Sequence, residues 1–452
     1  MYMNSFLARL TPAAVAAALV CGAAAARAAD APAPLGLQSL IQRALAEAPR
    51  QHLADRNIAL AEIQRDSTRA ALLPQLGVEV SQVRQTTNPA TLGFNFPGLP
   101  DLIGPYNVFD ARLNLSQKVV DLARASDVAG AGFAIDAARA QADVTAEQIA
   151  SNVALSYIQV LAGEQALLSA QSDLALAEDL LNLARDQKGA GIATGVDVAR
   201  AETAVAQDRY AVSESQTRIA QARLQLQRLA VLPMQDAPQL SGRLDGGPGA
   251  LPGAVPELGV TAEQALNTAR ASRSELRAVE ASIAQADARL QAAHRRRLPT
   301  LSVVGNYGLS SKVPGEADED TYRYGAVIDL PIYSGGSLAA EDAAATNQLE
   351  QQRLQMQDLQ QQIEQDVRLA LATLANSAEQ VRAAVSARDL AQRELDLSRD
   401  RFSNGVANNL DVVSAQASLA RARAQYVAAT AAQQQARVNL AAAQGRARQF
   451  DL

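Results

Sequence analysis

"YRYGAVIDL" (Tyr322–Leu330) alternates with a period of two. Tyr322, Tyr324, Ala326, Ile328 and Leu330 point one way, and Arg323 and Asp329 the other. That is the pattern of a strand with one apolar and one polar face. Three more stretches repeat it. In "LGVEVSQVRQ" (76–85), Leu76, Val78 and Val80 oppose Gly77, Glu79 and Ser81. In "ARLNLS" (111–116), Ala111, Leu113 and Leu115 oppose Arg112, Asn114 and Ser116. In "LSVVGNYGLS" (301–310), Leu301, Val303, Tyr307 and Leu309 oppose Ser302, Asn306 and Ser310. The predicted strands cover about 76–86, 107–117, 301–311 and 322–332. Each is about 10 residues long, enough to cross a bilayer in a tilted β-barrel. Aromatics gather at these strands and their loops, among them Tyr106, Phe109, Tyr307, Tyr322, Tyr324 and Tyr333, with Phe94 and Phe96 in the first loop. Aromatics at strand ends suit a membrane interface. The alternative is a soluble four-stranded sheet with one buried face. Four strands do not close a barrel, since the smallest have about eight, so a spanning sheet requires several chains.

The rest of the chain reads as helix. Trp is absent and aromatics are only 4% of residues, whereas a large spherical core draws on bulky rings. Ala-rich sequence suits helices packed along their length. From about Leu338 to Ser403 apolar residues fall at Met356, Ile363, Val367, Leu371, Leu374, Ala378, Val381 and Val385. After the first step, spacings of three and four alternate, as in a coiled-coil seam. Such a helix spans about 100 Å. A matching helix is predicted from about Leu122 to Lys188, and shorter ones over 37–72 and 261–297.

One plan is written twice. "ALLPQLGVEVSQ" (71–82) aligns with "RRLPTLSVVGNY" (296–307) on Pro74 and Pro299, and "LSQKVVDLAR" (115–124) with "IDLPIYSGGS" (328–337). "KGAGIATGVDVARA" (188–201) aligns with "FSNGVANNLDVVSA" (402–415), so that Gly191 and Asp197 match Gly405 and Asp411. The repeats occupy 29–232 and 261–446, with turns at 189–197 and 404–411. A Pro/Gly-rich linker, 233–260, separates them, and 447–452 form a tail. At the two turns, Thr194 with Asp197 and Asn408 with Asp411 have the spacing of an N-cap and its third helical residue. Gly191 and Gly405 suit a left-handed helix end.

The N-terminus carries Arg9, the apolar run "AAVAAALVCGAAAA" and "ARA" (26–28), the parts of a secretory signal peptide over 1–28. Cys21, the single cysteine, lies inside it after "ALV", a poor lipidation box, so neither a lipid anchor nor a disulfide is expected. Without those residues, 39 basic side chains face 47 acidic ones, a net charge of −8. For an acidic chain without a long basic tract, no nucleic-acid partner is expected. His52 and His294 have no ligand spacing, no catalytic constellation is present, and neither metal nor cofactor is expected. "HRRR" (294–297) could meet lipid headgroups or acidic neighbours, or be a solvated helix end.

Taken in order, "LIQRALAEAPRQHLA", "LLPQLGV", "LNLSQKVVDLARA", "DLPIYSGG" and the paired turns resemble the TolC-type outer-membrane efflux proteins over almost the whole mature chain. The resemblance implies a mixed α+β membrane protein. Four strands per chain would contribute to a trimeric, twelve-stranded β-barrel, continued by a long periplasmic α-helical barrel. It implies a passive export duct in a tripartite efflux or type I secretion system, not an enzyme. The partners would be two further copies, outer-membrane lipid, a periplasmic adaptor and an inner-membrane pump. The turns become the periplasmic tip, with Gly191, Ile192, Ala193, Thr194, Gly405, Val406, Ala407 and Asn408 as adaptor-docking residues and Asp197 and Asp411 at the pore gate. Phe402, Ala407 and Ser414 stand where the better-known pattern has a tyrosine, an arginine and a second aspartate. Asp197 would therefore lack both expected partners, leaving a mouth held more by helix packing than by polar links. A soluble periplasmic coiled-coil scaffold or adaptor is the alternative, though no lipoyl-like β-domain is visible.

Overall fold

The structure is a computed structural model. It describes residues 34–93, 100–235, 238–244, 254–315, 319–404, 406 and 409–452. The expected signal peptide, Phe94, Phe96, Gly405, Ala407 and Asn408 lie outside them.

Repeat one runs α1 (Leu37–Glu47), α2 (Pro49–Ala70), β1 (Gln75–Thr87), β2 (Ile103–Val120), α3 (Leu122–Gly189) and α4 (Gly195–Leu229). Repeat two runs α5 (Ala262–Ser272), α6 (Ser274–Arg295), β3 (Thr300–Ser311), β4 (Glu319–Asp329), α7 (Ser337–Ser403) and α8 (Asn409–Ala443). Pro74 and Pro299 immediately precede the first strand of each repeat, where proline stops the helix.

The leading helices, expected to be continuous, are each broken in two. In repeat one the residue before Pro49 is forced out of the helical region, and Ala48 has φ −67° and ψ 130°. In repeat two no proline marks the break. Arg273 is extended (φ −69°, ψ 119°) and held by Glu275 and Asp366, its guanidinium 3.0 Å from Asp366. The α8 end presses on it, so a side chain at Gly445 would meet the Arg273 Cα at 3.0 Å.

The four strands form one antiparallel sheet in the order β1-β2-β3-β4. β1 and β3 match the predicted limits within about a residue. β2 is longer than expected, 18 residues, because an irregularity between Gln85 and Thr87 carries pairing out to Ile103 and another between Lys118 and Val120 carries it out to Val120. β4 ends at Asp329 rather than 332, since Pro331 cannot continue it. The register aligns the apolar residues of all four strands. Val78, Leu113, Tyr307 and Tyr322 form one row, and Leu76, Leu115, Gly305 and Tyr324 another. Glu79, Arg112, Gly308 and Thr321 occupy a row on the opposite face, beside Gly77, Asn114, Asn306 and Arg323. The apolar face is uncovered, with Val78 74% and Ile328 72% exposed.

Gly308 lets β2 and β3 close up. A Cβ there would meet the Ala111 carbonyl oxygen at 2.3 Å and the Arg112 Cγ at 2.7 Å. The Arg112 stem crosses this gap, and its guanidinium reaches Asn306 at 3.2 Å and Asp110 at 2.6 Å. Gly308→Ala should destabilise the sheet by about 1–3 kcal/mol, the usual cost of overpacking. A lower thermal midpoint in detergent, with Gly325→Ala unchanged because its Cβ meets nothing within 4 Å, is the expected pair of results.

The helical core is a string of clusters. α1, the middle of α3, the end of α4 and the end of α8 bury Leu40, Ile41, Val153, Tyr157, Ile158 and Leu226. α5, α7 and α8 bury Ile363, Val367, Leu374 and Leu440. Nearer the turns, α3, α7 and α8 share Leu180, Leu395, Phe402, Val412 and Leu419. All eight predicted seam residues of α7 are buried or half-buried.

The described residues of the linker, and the tail, are more structured than expected. Leu240 pairs in parallel with Leu35, and Gly242 donates its amide to the buried Tyr157 hydroxyl at 2.9 Å. Residues Pro256–Gly259 form a short 3-10 turn, and Arg437 meets Glu257 at 2.9 Å. Phe450 is buried in the first cluster and lies under Arg437, so the tail is core. The basic cluster meets acidic neighbours. Arg296 pairs with Glu341 at 2.6 Å, and His294 and Arg297 converge on Asp342.

Candidate functional site: the paired turns and the sheet

At the first turn α3 ends in a Schellman arrangement. Gly191 is left-handed (φ 77°), and the Ile192 amide donates to the Gln187 carbonyl at 2.9 Å. α4 then starts on a reciprocal capping box. The Asp197 amide donates to Thr194 Oγ1 at 3.4 Å, and the Thr194 amide and hydroxyl donate to the Asp197 carboxylate at 2.9 and 2.6 Å. Arg200 stands 3.7 Å from the same carboxylate. Thr194's side-chain and backbone hydrogen bonds lower the Asp197 pKa from the ordinary range, and Arg200 assists. Asp197 therefore has polar partners, supplied by its own helix end.

The described residues of the second turn repeat two of the first turn's backbone hydrogen bonds. The Asn404 amide donates to Asp400, as Ala190 does to Asp186, and the Val406 amide donates to Arg401 at 2.9 Å, as Ile192 does to Gln187. Asp411 lies exposed in the first turn of α8. Ile192 and Val406 are 65% and 71% exposed, Thr194 is exposed and Ala193 half-buried.

Two buried amides tie the turns together, and neither was among the expected site residues. Gln187, in the last turn of α3, donates Nε2 to the Phe402 carbonyl at the end of α7, at 2.9 Å. Asn409, the first residue of α8, donates Nδ2 to the Asp197 carbonyl in α4 at 2.8 Å. Within the chain, these two amides link the hairpins by polar side chains. Further up the hairpins Arg423 of α8 reaches Asp173 of α3 at 2.5 Å and Gln392 of α7 at 3.2 Å. Gln416 of α8 donates to Asp208 of α4 at 3.1 Å. Burial raises the Asp173 carboxyl against the opposing Arg423, and burial together with Asp173's charge raises Asp208. These partners sit 31 to 250 residues apart, so only the three-dimensional pairing of the hairpins reveals them.

Of the aromatics, Phe109, Tyr307, Tyr322 and Tyr324 share the apolar face by register, and Tyr322 stacks on Tyr324 at 6.0 Å. Tyr333 lies beyond β4 and is 90% exposed. Tyr106 departs from this set. It pairs with Gln85 on the face that carries Arg112, and its hydroxyl bonds Thr87 at 2.6 Å. Among the described residues no group of His, Cys, Asp or Glu could hold a metal ion, and no helix is long and apolar enough to cross a membrane.

The chain matches known proteins along most of its length. It is 27% identical to the pyoverdine export outer membrane protein OpmQ of Pseudomonas aeruginosa, over 92% of this chain and 86% of that protein. It is 24% identical to nodulation protein T of Rhizobium leguminosarum bv. trifolii over 63% of this chain, spanning 60% of that relative's length. Its fold superposes on the Campylobacter jejuni CmeC outer membrane channel with a TM-score of 0.75, at 17% identity over 92% of this chain and 86% of that one. It superposes on the open Neisseria gonorrhoeae MtrE outer membrane channel with a TM-score of 0.73, at 22% identity over 90% and 88%. The outer membrane efflux protein family matches residues 40–230 and 265–446, one stretch in each repeat, and the chain belongs to that family.

Proposed function

We propose that three copies of this chain join their sheets edge to edge as one twelve-stranded barrel in the outer membrane. The helical hairpins continue it into the periplasm as a passive duct for export. The observation that carries this reading is the register. It gathers the apolar side chains of four strands on one face and leaves β1 and β4 as open edges. In lipid every backbone polar group needs a partner, so such a sheet persists only in a closed ring. A soluble scaffold would leave that face uncovered, and it is the less favoured reading.

The paired turns then form the periplasmic mouth. Ile192 and Val406, exposed apolar residues on two parallel turns, suit docking of the hairpins of a periplasmic adaptor, which links the duct to an inner-membrane pump. The duct has no chemistry of its own, and the pump sets what is carried. The test is the mass of the purified protein in mild detergent. A trimer is expected, and a stable monomer defeats the reading.

This arrangement puts the connection between β1 and β2 at the cell surface, because barrels place their longer loops outside. Thr91 is exposed there. With the signal peptide removed, Thr91→Cys supplies a single thiol. It should react with an impermeant reagent on intact cells. Reaction only after the outer membrane is opened would reverse the topology.

A further inference from the structure

We infer that Gln187 and Asn409 are a neutral latch that holds the two turns together and sets how often the mouth opens. This rests on the reading of the turns as the mouth of a duct. Gln187 reaches from the first hairpin to the second, and Asn409 from the second to the first. Any motion that swings one turn away from the other breaks both bonds. Gln187 is 7% exposed and Asn409 1%. The Phe402 carbonyl oxygen, the acceptor for Gln187, is one of the last of α7, beyond the regular helical ladder, and it also receives the Asn404 amide of the cap.

The latch is half-satisfied. Gln187 Oε1 and Asn409 Oδ1 are buried with no hydrogen-bond partner in the structure. Each amide therefore gains one bond across the hairpins and forfeits another that water would give its oxygen. Parting the turns breaks the first bond and hydrates the second group, so the closed pair is favoured only slightly. A carboxylate–arginine link would be screened by salt and titrated by acid, whereas an amide–carbonyl link is neither. The charged side chains beside it in sequence, Asp186, Lys188, Asp400 and Arg401, are all exposed.

Gln187→Glu tests this with little change in shape. At pH 7.5 a carboxylate replaces the donor and faces the Phe402 carbonyl oxygen, acceptor against acceptor. At pH 4.5 a protonated carboxyl can donate again. Single-channel recordings of the full-length protein in planar bilayers should show an open probability roughly tenfold above wild type at pH 7.5, returning towards the wild-type value at pH 4.5. Asn409→Asp, facing the Asp197 carbonyl, should behave alike. A variant-to-wild-type ratio of one at pH 7.5, or a raised ratio that ignores pH, overturns the latch. If the glutamate blocks assembly, Gln187→Met decides: raised opening at both pH values supports the latch, and wild-type opening removes it. A wild-type protein that never conducts would instead defeat the duct reading itself.

Discussion

Arg423→Leu should destabilise the helical hairpins by about 3–5 kcal/mol, the usual result of leaving a buried charge without its partner. Asp173 is 8% exposed, and Arg423 is the cation against it, bridging α8 to α3 and, through Gln392, to α7. The leucine keeps much of the arginine's apolar stem and removes only the charge and its hydrogen bonds. The double variant Arg423→Leu/Asp173→Leu should recover most of the loss, because a buried ion pair replaced by apolar side chains is often neutral. A double variant as unstable as the single one would mean that packing, not the stranded carboxylate, carries the effect.

The loss should also depend on pH, with a definite sign. Burial already raises the Asp173 carboxyl, and Arg423 opposes that shift. Removing the arginine raises it further. A folded-state carboxyl pKa above the unfolded one means that the folded chain holds the proton more tightly, so stability falls as pH rises through that window. The gap between Arg423→Leu and wild type in thermal midpoint should therefore be smaller at pH 5 than at pH 8. Asp208 is raised by burial and then by the Asp173 charge, so its contribution has the same sign and titrates together with that of Asp173. Asp197 runs the other way. Its lowered pKa gives a contribution present above the unfolded carboxyl value and lost as pH falls through the folded one. An equal gap at the two pH values would exclude ionised Asp173 as the cause.

The sheet was legible because its signal is local. Alternation in "YRYGAVIDL" or "ARLNLS" places a side chain on a face without reference to any other strand, and Pro74 and Pro299 mark where β1 and β3 begin. Counting in twos back from Arg112 puts Tyr106 on the polar face, but residue type alone does not. The capping box at Thr194 and Asp197 is likewise local, three residues wide. The break before Pro49 has a signal, and the one at Arg273 has none. It depends on Asp366 and the end of α8, far away in the chain. Gln187 and Asn409 are ordinary polar residues of the helical sequence until the turns are brought side by side. Phe450 is a lone aromatic in the last three residues, which signals burial more than its position suggests.

Asp411→Asn should lower the preference for cations in planar bilayers while leaving the assembly intact. Three copies of the duct would bring three Asp411 side chains to one mouth, each exposed on the first turn of α8. Like charges between low-dielectric walls reinforce one another's field, so the ring attracts cations and repels anions. Ser414 adds no second carboxylate one turn on, and the Asp197 charge is offset by Arg200 and held by its own cap. The preference should therefore fall when Asp411 is neutralised, and block by multivalent cations should weaken with it. Asparagine keeps the size of the side chain and its ability to accept a hydrogen bond near a helix start, so helix capping is largely retained. Asp197→Asn is the comparison. It should disturb the capping box, in which the carboxylate accepts from both the amide and the hydroxyl of Thr194, yet change selectivity less. Unchanged selectivity and unchanged block in Asp411→Asn would assign that aspartate to the helix end and not to the passage of ions.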